Sequence, residues 1–298
     1  MRIASTQLQT TLNESLQTAS GNMAELLQKM SSGKRYLLPS EDPISSVRLL
    51  RLEREEAAIT QYSSNIGALR SRLSMNESYL DGMTQDLMQA RVLLLGADDT
   101  VSKEDVKDIA ASLVSLRDSL YFTSNTKDQE GHYYFSGTAS STATLALDKT
   151  GAAGSRYTAL GNSDQQLVVV GNGVTQASNV ALPEMAALLN QLDLAITALQ
   201  NPPATGYRPA VEQGINGLDA ALRSVGSKIA NLGGAQNNMQ MMEDNHANVS
   251  LSNQQSARLL GSLDYGEAMI TMDSYKLALQ ASQKAYGKIS SLSLFDVL

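Results

Sequence analysis

Residues 59–94 read ITQYSSNIGALRSRLSMNESYLDGMTQDLMQARVLL, and this stretch decides the fold class. Its apolar side chains recur at alternating steps of three and four residues, which keeps one face of an α-helix apolar over many turns. Asp42 and Pro43 suit the N-cap and first position of such a helix. We therefore predict one helix over residues 43–95, about 80 Å long at roughly 1.5 Å per residue. Its stripe contains Ile59, Tyr62, Ile66, Leu69, Leu73, Asn76, Leu80, Met83, Leu87, Ala90 and Leu94, of which Asn76 alone is polar.

Two shorter helices are predicted on either side of a non-periodic region. Residues 96–99 (GADD) end the long helix, and Ser102 followed by Asp105 resembles a capping box at the start of the next one. The short connection implies that this second helix folds back antiparallel on the first. After the non-periodic region, Pro183 and Glu184 open a helix that residues 201–203 (NPP) terminate.

The heptad rhythm returns after Pro209 and continues in frame through Gly233 and Gly234. Two glycines weaken a helix by about 1 kcal/mol each relative to alanine, but the preserved phase favours a single helix through them. This helix is predicted to be the long antiparallel partner of the first. Its stripe is Val211, Ile215, Leu218, Leu222, Val225, Ile229, Leu232, Ala235, Met239, Met242, His246 and Val249.

Both ends of the chain carry apolar stripes at heptad spacing with no globular core of their own. Their natural partners are each other, and we predict that their apolar faces also carry contacts in an assembly. The front stripe includes Ala19, the back stripe includes Ala268, and the polar Ser282 interrupts the latter. The candidate assembly interface is Leu12, Leu16, Met23, Leu26, Met30, Met272, Tyr275, Leu279, Tyr286 and Ile289.

The predicted fold is mainly α, an elongated nested helical hairpin with a small β-containing insertion. Residues 137–182 form the insertion, because short apolar runs alternate there with Gly, Ser, Thr and Asn. The predicted division is an assembly helix over 1–35 paired with 265–298, central-bundle helices over 36–136 and 183–264, and the insertion over 137–182.

Composition excludes several classes of function. The net charge is −7 without a dense Lys/Arg tract, so nucleic acid is not an expected partner. No apolar run approaches the roughly 20 residues that span a bilayer, so we expect neither membrane insertion nor a cleavable secretory signal. The absence of cysteine excludes disulfides and thiolate metal sites. Three Phe, eleven Tyr and no Trp suit thin helical bundles.

No catalytic, metal or cofactor site is expected. His132 and His246 are far apart in sequence, and His132 has no second ligand at metal spacing. His246 falls on a heptad position, where a tolerated polar core residue is the simpler interpretation. Residues 167–173 (LVVVGNG) resemble a strand entering a phosphate-binding turn. Gln176, however, occupies the place of the third glycine, so we predict a β-turn. We therefore expect a protein that is not an enzyme.

Two side-chain sets leave alternatives open. Arg51 and Glu55 could pair across one helical turn, where a solvated face is the default and an intersubunit role the alternative. Met239, Met241 and Met242 could form an adaptable docking surface, although core filling is favoured.

Five short segments resemble the bacterial flagellin superfamily and, within it, the hook-associated proteins. Filament flagellin, the nearest rival, typically carries an SSGLRINSAKDDAAG type segment, where this chain has Lys34, Arg35 and the ending Glu41-Asp42-Pro43. The resemblance covers roughly residues 1–137 and 183–298. The segments are residues 1–6 (MRIAST), 29–35 (KMSSGKR), 39–43 (PSEDP), 131–137 (GHYYFSG) and 291–296 (SLSLFD).

The resemblance implies a structural protein of the bacterial flagellum at the hook-filament junction. It implies export through the flagellar type III apparatus without a cleaved signal, and a cytosolic export chaperone that binds near the carboxyl end. It further implies self-association in a ring-like layer between the first hook-associated protein and flagellin. Filament flagellin itself, or a binding module in residues 137–182, is the alternative.

Overall fold

A computed structural model describes residues 2–97, 102–204 and 206–295. The predicted fold class, mainly α with a small β part, is confirmed. Contacts divide the chain into two compact units, a terminal unit of Met1–Ala58 with Ala247–Leu298 and a central unit of Ile59–His246. The helices are α1 Arg2–Ser32, α2 Pro43–Gly96, α3 Lys103–Ser124, α4 Met185–Gln200, α5 Arg208–Gly261 and α6 Tyr265–Phe295; the strands are β1 Leu145–Leu147, β2 Tyr157–Ala159, β3 Leu167–Gly171 and β4 Val174–Ala177.

Helix α2 confirms the long helix predicted over 43–95. Within the central unit its apolar stripe forms one wall of the core, because every stripe member from Ile59 to Leu94 is buried except the half-buried Tyr62. Burying large aliphatic side chains contributes about 1.5 to 3 kcal/mol each, so this stripe supplies much of the unit's stability.

Helix α5 confirms the second long helix, and it runs through Gly233 and Gly234 without a break. Side-chain bonds show that α5 lies antiparallel to α2, because the partner numbers on α5 fall as those on α2 rise. The bonds are Arg70 Nη1 to Glu243 Oε2 at 2.7 Å, Gln236 Nε2 to Glu77 Oε2 at 2.7 Å, and Arg91 Nε to Asp219 Oδ1 at 2.6 Å.

Asn76 is the polar member of the buried α2 stripe. The residue is completely buried, and within the described part of the chain neither its Oδ1 nor its Nδ2 has a hydrogen-bond partner. A buried polar group without a partner costs about 1 to 3 kcal/mol relative to its hydrated state. Asn76 therefore lowers the stability of a core that is otherwise apolar at this level.

Helix α3 begins with the cap predicted from Ser102 and Asp105. The Ser102 Oγ accepts a hydrogen bond from the Asp105 amide at 3.2 Å and donates one to Asp105 Oδ2 at 2.7 Å. Ser119 Oγ donates to Asp86 Oδ2 of α2 at 2.7 Å, so α3 packs against α2. Helix α4 begins at Met185 and packs against α3.

The insertion consists of two antiparallel hairpins, β1 with β2 and β3 with β4. The turn predicted in residues 167–173 is confirmed, because Gly171 pairs with Val174 across Asn172 and Gly173. Gly173 has φ +71°, a left-handed conformation that glycine adopts without strain.

The hairpins share the core of the central unit. Phe135, Leu145, Tyr157, Val170 and Leu182 are buried in the same cluster as the α2 stripe. Residues 137–182 therefore complete the hydrophobic core against which α2, α4 and α5 pack.

None of the helices in residues 2–97, 102–204 and 206–295 combines the length and the apolar character needed to cross a bilayer.

Candidate functional site

Helices α1 and α6 pack along each other in the terminal unit. The candidate interface residues Leu12, Leu16, Met23, Leu26 and Met30 of α1 are all half-buried, as are Met272, Tyr275 and Leu279 of α6. Ala268 is buried and Ser282 is half-buried, so the polar interruption also faces inward. Tyr286 is exposed, and the side chain of Ile289 lies outside the described residues. We call the half-buried set together with the buried Ala268 the seam.

Backbone hydrogen bonds join the end of α1 to the turn between α5 and α6. The Leu263 amide donates to Gly33 O at 3.0 Å, and the Arg35 amide donates to Gly261 O at 2.8 Å. Gly33 ends α1 with φ +68°, a left-handed position typical of a helix C-terminus. Tyr265 Oη adds a hydrogen bond to Met30 O at 2.8 Å. The segment KMSSGKR that resembles the hook-associated proteins therefore joins the end of α1 to the turn between α5 and α6.

The loop between α1 and α2 is held by Glu41. Its Oε1 accepts hydrogen bonds from the amides of Leu37 at 3.0 Å and Leu38 at 2.9 Å, and its Oε2 lies 2.6 Å from Lys29 Nζ. The bond from Lys29, followed by that from the Leu38 amide, lowers the pKa of the Glu41 carboxyl. The pKa of Lys29 is raised, first by its hydrogen bond to Glu25 and then by Glu41.

Asp42 caps α2 as predicted. Its Oδ1 accepts from the amides of Ile44 at 3.1 Å and Ser45 at 3.0 Å, and the Ser45 hydroxyl donates to Oδ2 at 2.7 Å. The Ser45 hydroxyl and then the Ser45 amide lower the pKa of Asp42 from 3.8 to about 2. The segment PSEDP thus fixes the loop and the start of α2 with two adjacent carboxylates.

Large apolar side chains remain exposed on the outside of the terminal unit. Ile270 is 72% exposed, Leu277 67% and Leu259 81%, although each lies in a helix that buries another face. Strongly exposed apolar side chains of this size gain free energy when another molecule covers them, so this unit is suited to contacts with other molecules. The exposed members are Leu27, Leu38, Ile44, Val47, Leu50, Leu251, Leu259, Tyr265, Met269, Ile270, Leu277 and Tyr286.

The central unit holds a buried ionic cluster that the sequence reasoning missed. The side chain of Asp193 in α4 is 1% exposed, and its Oδ1 accepts from Arg117 Nη1 at 2.9 Å and from Arg156 Nη1 at 3.1 Å. Its Oδ2 accepts from the Gly154 amide at 3.2 Å. Asp193 is the only charged residue in α4, an otherwise largely apolar helix. This isolated charge in the sequence could have indicated a buried ion pair. The cluster ties the first hairpin to α3 and α4.

The structure brings together three polar residues that the sequence reasoning left apart. Carboxylate oxygens of Asp128 and Glu130 and a ring nitrogen of His132 lie within 4.8 Å of one another, with Glu130 and His132 exposed. Asp128 Oδ1 already accepts from the amides of Glu130 at 2.9 Å and His132 at 2.8 Å. The group therefore forms a hydrogen-bonded turn.

His246 and the methionine set lie where α5 meets its neighbours. His246 is half-buried, stacks on Tyr62 with ring centroids 5.6 Å apart, and its Nε2 lies 2.9 Å from Val170 O. This contact links α5 to α2 and β3, as expected for a polar residue at a heptad position. Met239 is buried and Met241 is 63% exposed, so the three methionines do not act as one set.

Comparisons with known proteins place these features in a family. A model of the bacterial flagellin N-terminal helical region matches residues 3–140. Flagellar hook-associated protein 3 of Escherichia coli is 27% identical over an alignment of 290 residues, and the match covers 91% of this chain and 91% of that protein. A solved structure from Vibrio parahaemolyticus, assigned as a flagellar hook-associated protein, is 34% identical, covers 74% of this chain and 99% of its own, and has a TM-score of 0.67. The chain belongs to the flagellar hook-associated protein family.

The same fold occurs in a solved structure of lower sequence identity. The flagellar junction protein FlgL of Legionella pneumophila is 16% identical, covers 71% of this chain and 100% of its own, and has a TM-score of 0.57. At that identity the likeness is one of fold. The resemblance to the flagellin superfamily is confirmed, and the comparisons with full-length curated relatives favour hook-associated protein 3 over filament flagellin.

Proposed function

We propose that this protein is a structural component of the bacterial flagellum that connects the hook to the filament. Membership of the flagellar hook-associated protein family supports this role, as does the likeness to a flagellar junction protein. Since its relatives are named as flagellar hook-associated and junction proteins, we propose that it is not an enzyme and uses no cofactor. It is located in the flagellum.

The observation that carries the proposal is the contrast between the two units. In the terminal unit Ala268 is the single apolar residue, among those with described side chains, that is more than nine-tenths buried, whereas the central unit contains a continuous core. A helical unit that buries so little of its apolar surface gains most of its stability from contacts with neighbours. Such a unit is suited to an assembly whose subunits order one another.

The seam residues of α1 and those of α6 are proposed to serve assembly. The seam residues from Leu12 to Met30 and from Met272 to Ser282 retain exposed edges that a neighbouring helix could cover, and Tyr286 is exposed beyond them. Residues 1–35 and 265–298 then act as one assembly segment. The proposed partners are further copies in a ring-like layer, the first hook-associated protein and flagellin.

The protein is proposed to reach the flagellum through the flagellar type III export apparatus, without a cleaved signal. A cytosolic chaperone that binds near the carboxyl end would cover the apolar faces of α6 before export. The exposed Met269, Ile270 and Leu277 are the residues of α6 that most need such cover in water.

The test is reconstitution of the junction. Purified full-length chain is added to isolated hooks that carry the first hook-associated protein, and the hooks are examined by electron microscopy before and after flagellin is added. We expect a new distal layer, followed by filament growth that depends on it. Hooks that remain bare at saturating protein, or filaments that grow equally well without the layer, would refute the proposed role.

A binding module in the insertion is tested with surface substitutions. Deleting residues 137–182 would remove Leu145, Tyr157 and Val170 from the core, and the resulting loss of function would have no clear meaning. Replacing the exposed Val169 and Val174 of the second hairpin with serine leaves the core intact. We expect unchanged assembly in the reconstitution, whereas a lost layer would indicate that the insertion binds a partner.

A further inference from the structure

The first turns of α2 present an unpartnered face of mixed apolar and cationic character. Ile44, Val47, Arg51 and Arg54 are all exposed, and steps of three, four and three residues place them on one side of the helix. The opposite side is occupied, because Leu49 packs against Gly261 and Glu56 binds Ser250 of α5. Among the described residues, neither Arg51 nor Arg54 has an ion-pair partner within its own chain. We call this the α2 face.

Helix α6 presents a second unpartnered face on the side away from α1. Met269, Ile270, Asp273 and Leu277 are exposed there, while Met272 and Tyr275 turn toward the seam. Within the described part of the chain, the carboxylate of Asp273 has no ion-pair partner. We call this the α6 face.

The two faces complement each other in length, apolar content and charge. The α2 face spans about 15 Å along its helix, from Ile44 to Arg54, and the α6 face spans about 12 Å, from Met269 to Leu277. The aliphatic side chains of one face could pack on those of the other, with the Asp273 carboxylate beside the Arg51 and Arg54 guanidiniums. The flanking charges also match, because the exposed Glu55 lies beside the α2 face and the exposed Lys276 lies beside the α6 face.

Charge also disfavours contacts between like faces. Two α2 faces would bring Arg51 and Arg54 of both copies together, and like charges across an interface lower affinity and exclude wrong partners. The contact between unlike faces has no such penalty.

We propose that the α2 face of one copy docks on the α6 face of the next copy. This inference rests on the proposed function, for which it names the subunit contact. The contact is heterologous, because each copy offers one face of each kind and binds two neighbours through different surfaces. Heterologous contacts close into rings or continue as helical arrays, whereas a contact between like faces would end at a dimer.

The experiment uses the absence of cysteine from the natural chain. Full-length variants Val47→Cys and Ile270→Cys are prepared separately and together in one chain, with Lys107→Cys of the exposed surface of α3 as control. Each is treated with a thiol-specific cross-linker that has a short flexible spacer. Treatment is done on purified protein over a range of concentrations and on flagella from a bacterium in which this chain replaces its own hook-associated protein 3.

The proposal predicts a cross-linked pair only when Val47→Cys and Ile270→Cys are mixed, and a ladder of oligomers from the double variant. Pairs formed by either single variant alone would show a contact between like faces and overturn the proposal. Absence of cross-links from both the purified protein and the isolated flagella would overturn it as well. Swimming of the same bacteria reports the proposed function separately. Motile cells without cross-links would therefore refute this contact alone, and failure of the unmodified chain to restore swimming would refute the function.

Charge reversal provides an independent measurement. Arg51→Glu with Arg54→Glu, or Asp273→Arg, should weaken the mixed cross-linking reaction by about tenfold, because each substitution opposes like charges across the contact. Combining the three substitutions in one chain should restore the reaction. The matched controls Lys103→Glu with Lys107→Glu, and Asp108→Arg, are reversals on the exposed surface of α3 and should have no effect. Equal losses from the controls, or no recovery in the combined variant, would overturn the proposal.

Discussion

At the scale of single residues, Asp193 is the charged side chain whose burial depends most on its hydrogen-bond partners. A carboxylate this deeply buried is tolerated because two guanidiniums and one backbone amide compensate for its lost hydration. The cluster joins three segments that are far apart in sequence. Its main effect is to fix where the first hairpin sits on α3 and α4.

Replacing Asp193 with alanine should lower the free energy of unfolding by about 1 to 3 kcal/mol, because Arg117, Arg156 and the Gly154 amide lose their shared acceptor while Arg117 keeps its ion pair with Asp118. Urea denaturation followed by circular dichroism measures the change. Asp108→Ala on the exposed face of α3 is the control and should stay within about 0.5 kcal/mol of the wild type. A loss no larger than the control's would show that the cluster is energetically neutral.

Replacing Asn76 with leucine should raise the free energy of unfolding by about 1 to 3 kcal/mol. The substitution removes a buried amide that has no hydrogen-bond partner among the described residues and adds apolar surface to the α2 stripe. Met75→Leu, one position away and 45% exposed, is the control. A decrease in stability would mean that the amide makes a bond essential to the core.

Asn76 and Asp193 differ in how much of their surroundings could be predicted from the sequence. The α2 pattern identified Asn76 as the polar member of a buried stripe, because its position depends only on helical periodicity. The bonds of Asp193 could not be predicted in the same way. Its partners lie 76 and 37 residues away, and no local rule places them together.

At the scale of elements, the pairing of α1 with α6 divides each helix into two faces. The seam buries one side of α6 only in part, because two helices alone cannot enclose their apolar stripes. The other side exposes Met269, Ile270 and Leu277. Both sides are therefore available to neighbours, though to different extents.

In the isolated monomer, residues 1 to about 35 and about 265 to 298 should be cut by protease well before the rest of the chain. Termini with little buried surface open readily, and proteases cleave the open form. Limited proteolysis with mass spectrometry identifies the sites. The control is the assembled protein in isolated flagella, where the same sites should be protected. Equal resistance of both tails in a verified monomer would contradict ordering that depends on assembly.

At the scale of the whole molecule, stability is distributed unevenly between the two units. The central unit contains the α2 stripe, the α4 helix and both hairpins in one buried cluster. The terminal unit relies on the seam, on Glu41 and on the bonds from Leu263 and Arg35. Such a division predicts that the units unfold in separate steps.

Thermal unfolding of the monomer should show two transitions, with the terminal unit melting first. Ala268→Asp, which places a charge in the seam, should lower only the first midpoint. Leu80→Ala, which removes a fully buried side chain of the central core, should cost about 2 to 5 kcal/mol in the second step alone. Calorimetry combined with hydrogen exchange assigns each step. A single cooperative transition shifted by both substitutions would refute the division.

The sequence by itself determined the helices, their apolar faces, the caps at Asp42 and Ser102, and the turn at Gly173. These features depend on periods of three to four residues and on local backbone chemistry, so neighbouring residues are enough to specify them. Only the tertiary structure decided which apolar side chains are buried by contacts within the chain. It placed the heptad stripes in the seam, left Ile44, Val47, Ile270 and Leu277 outside, and gave Asp193 its partners. Those outcomes depend on contacts between distant segments, and such contacts exist only once the chain has folded.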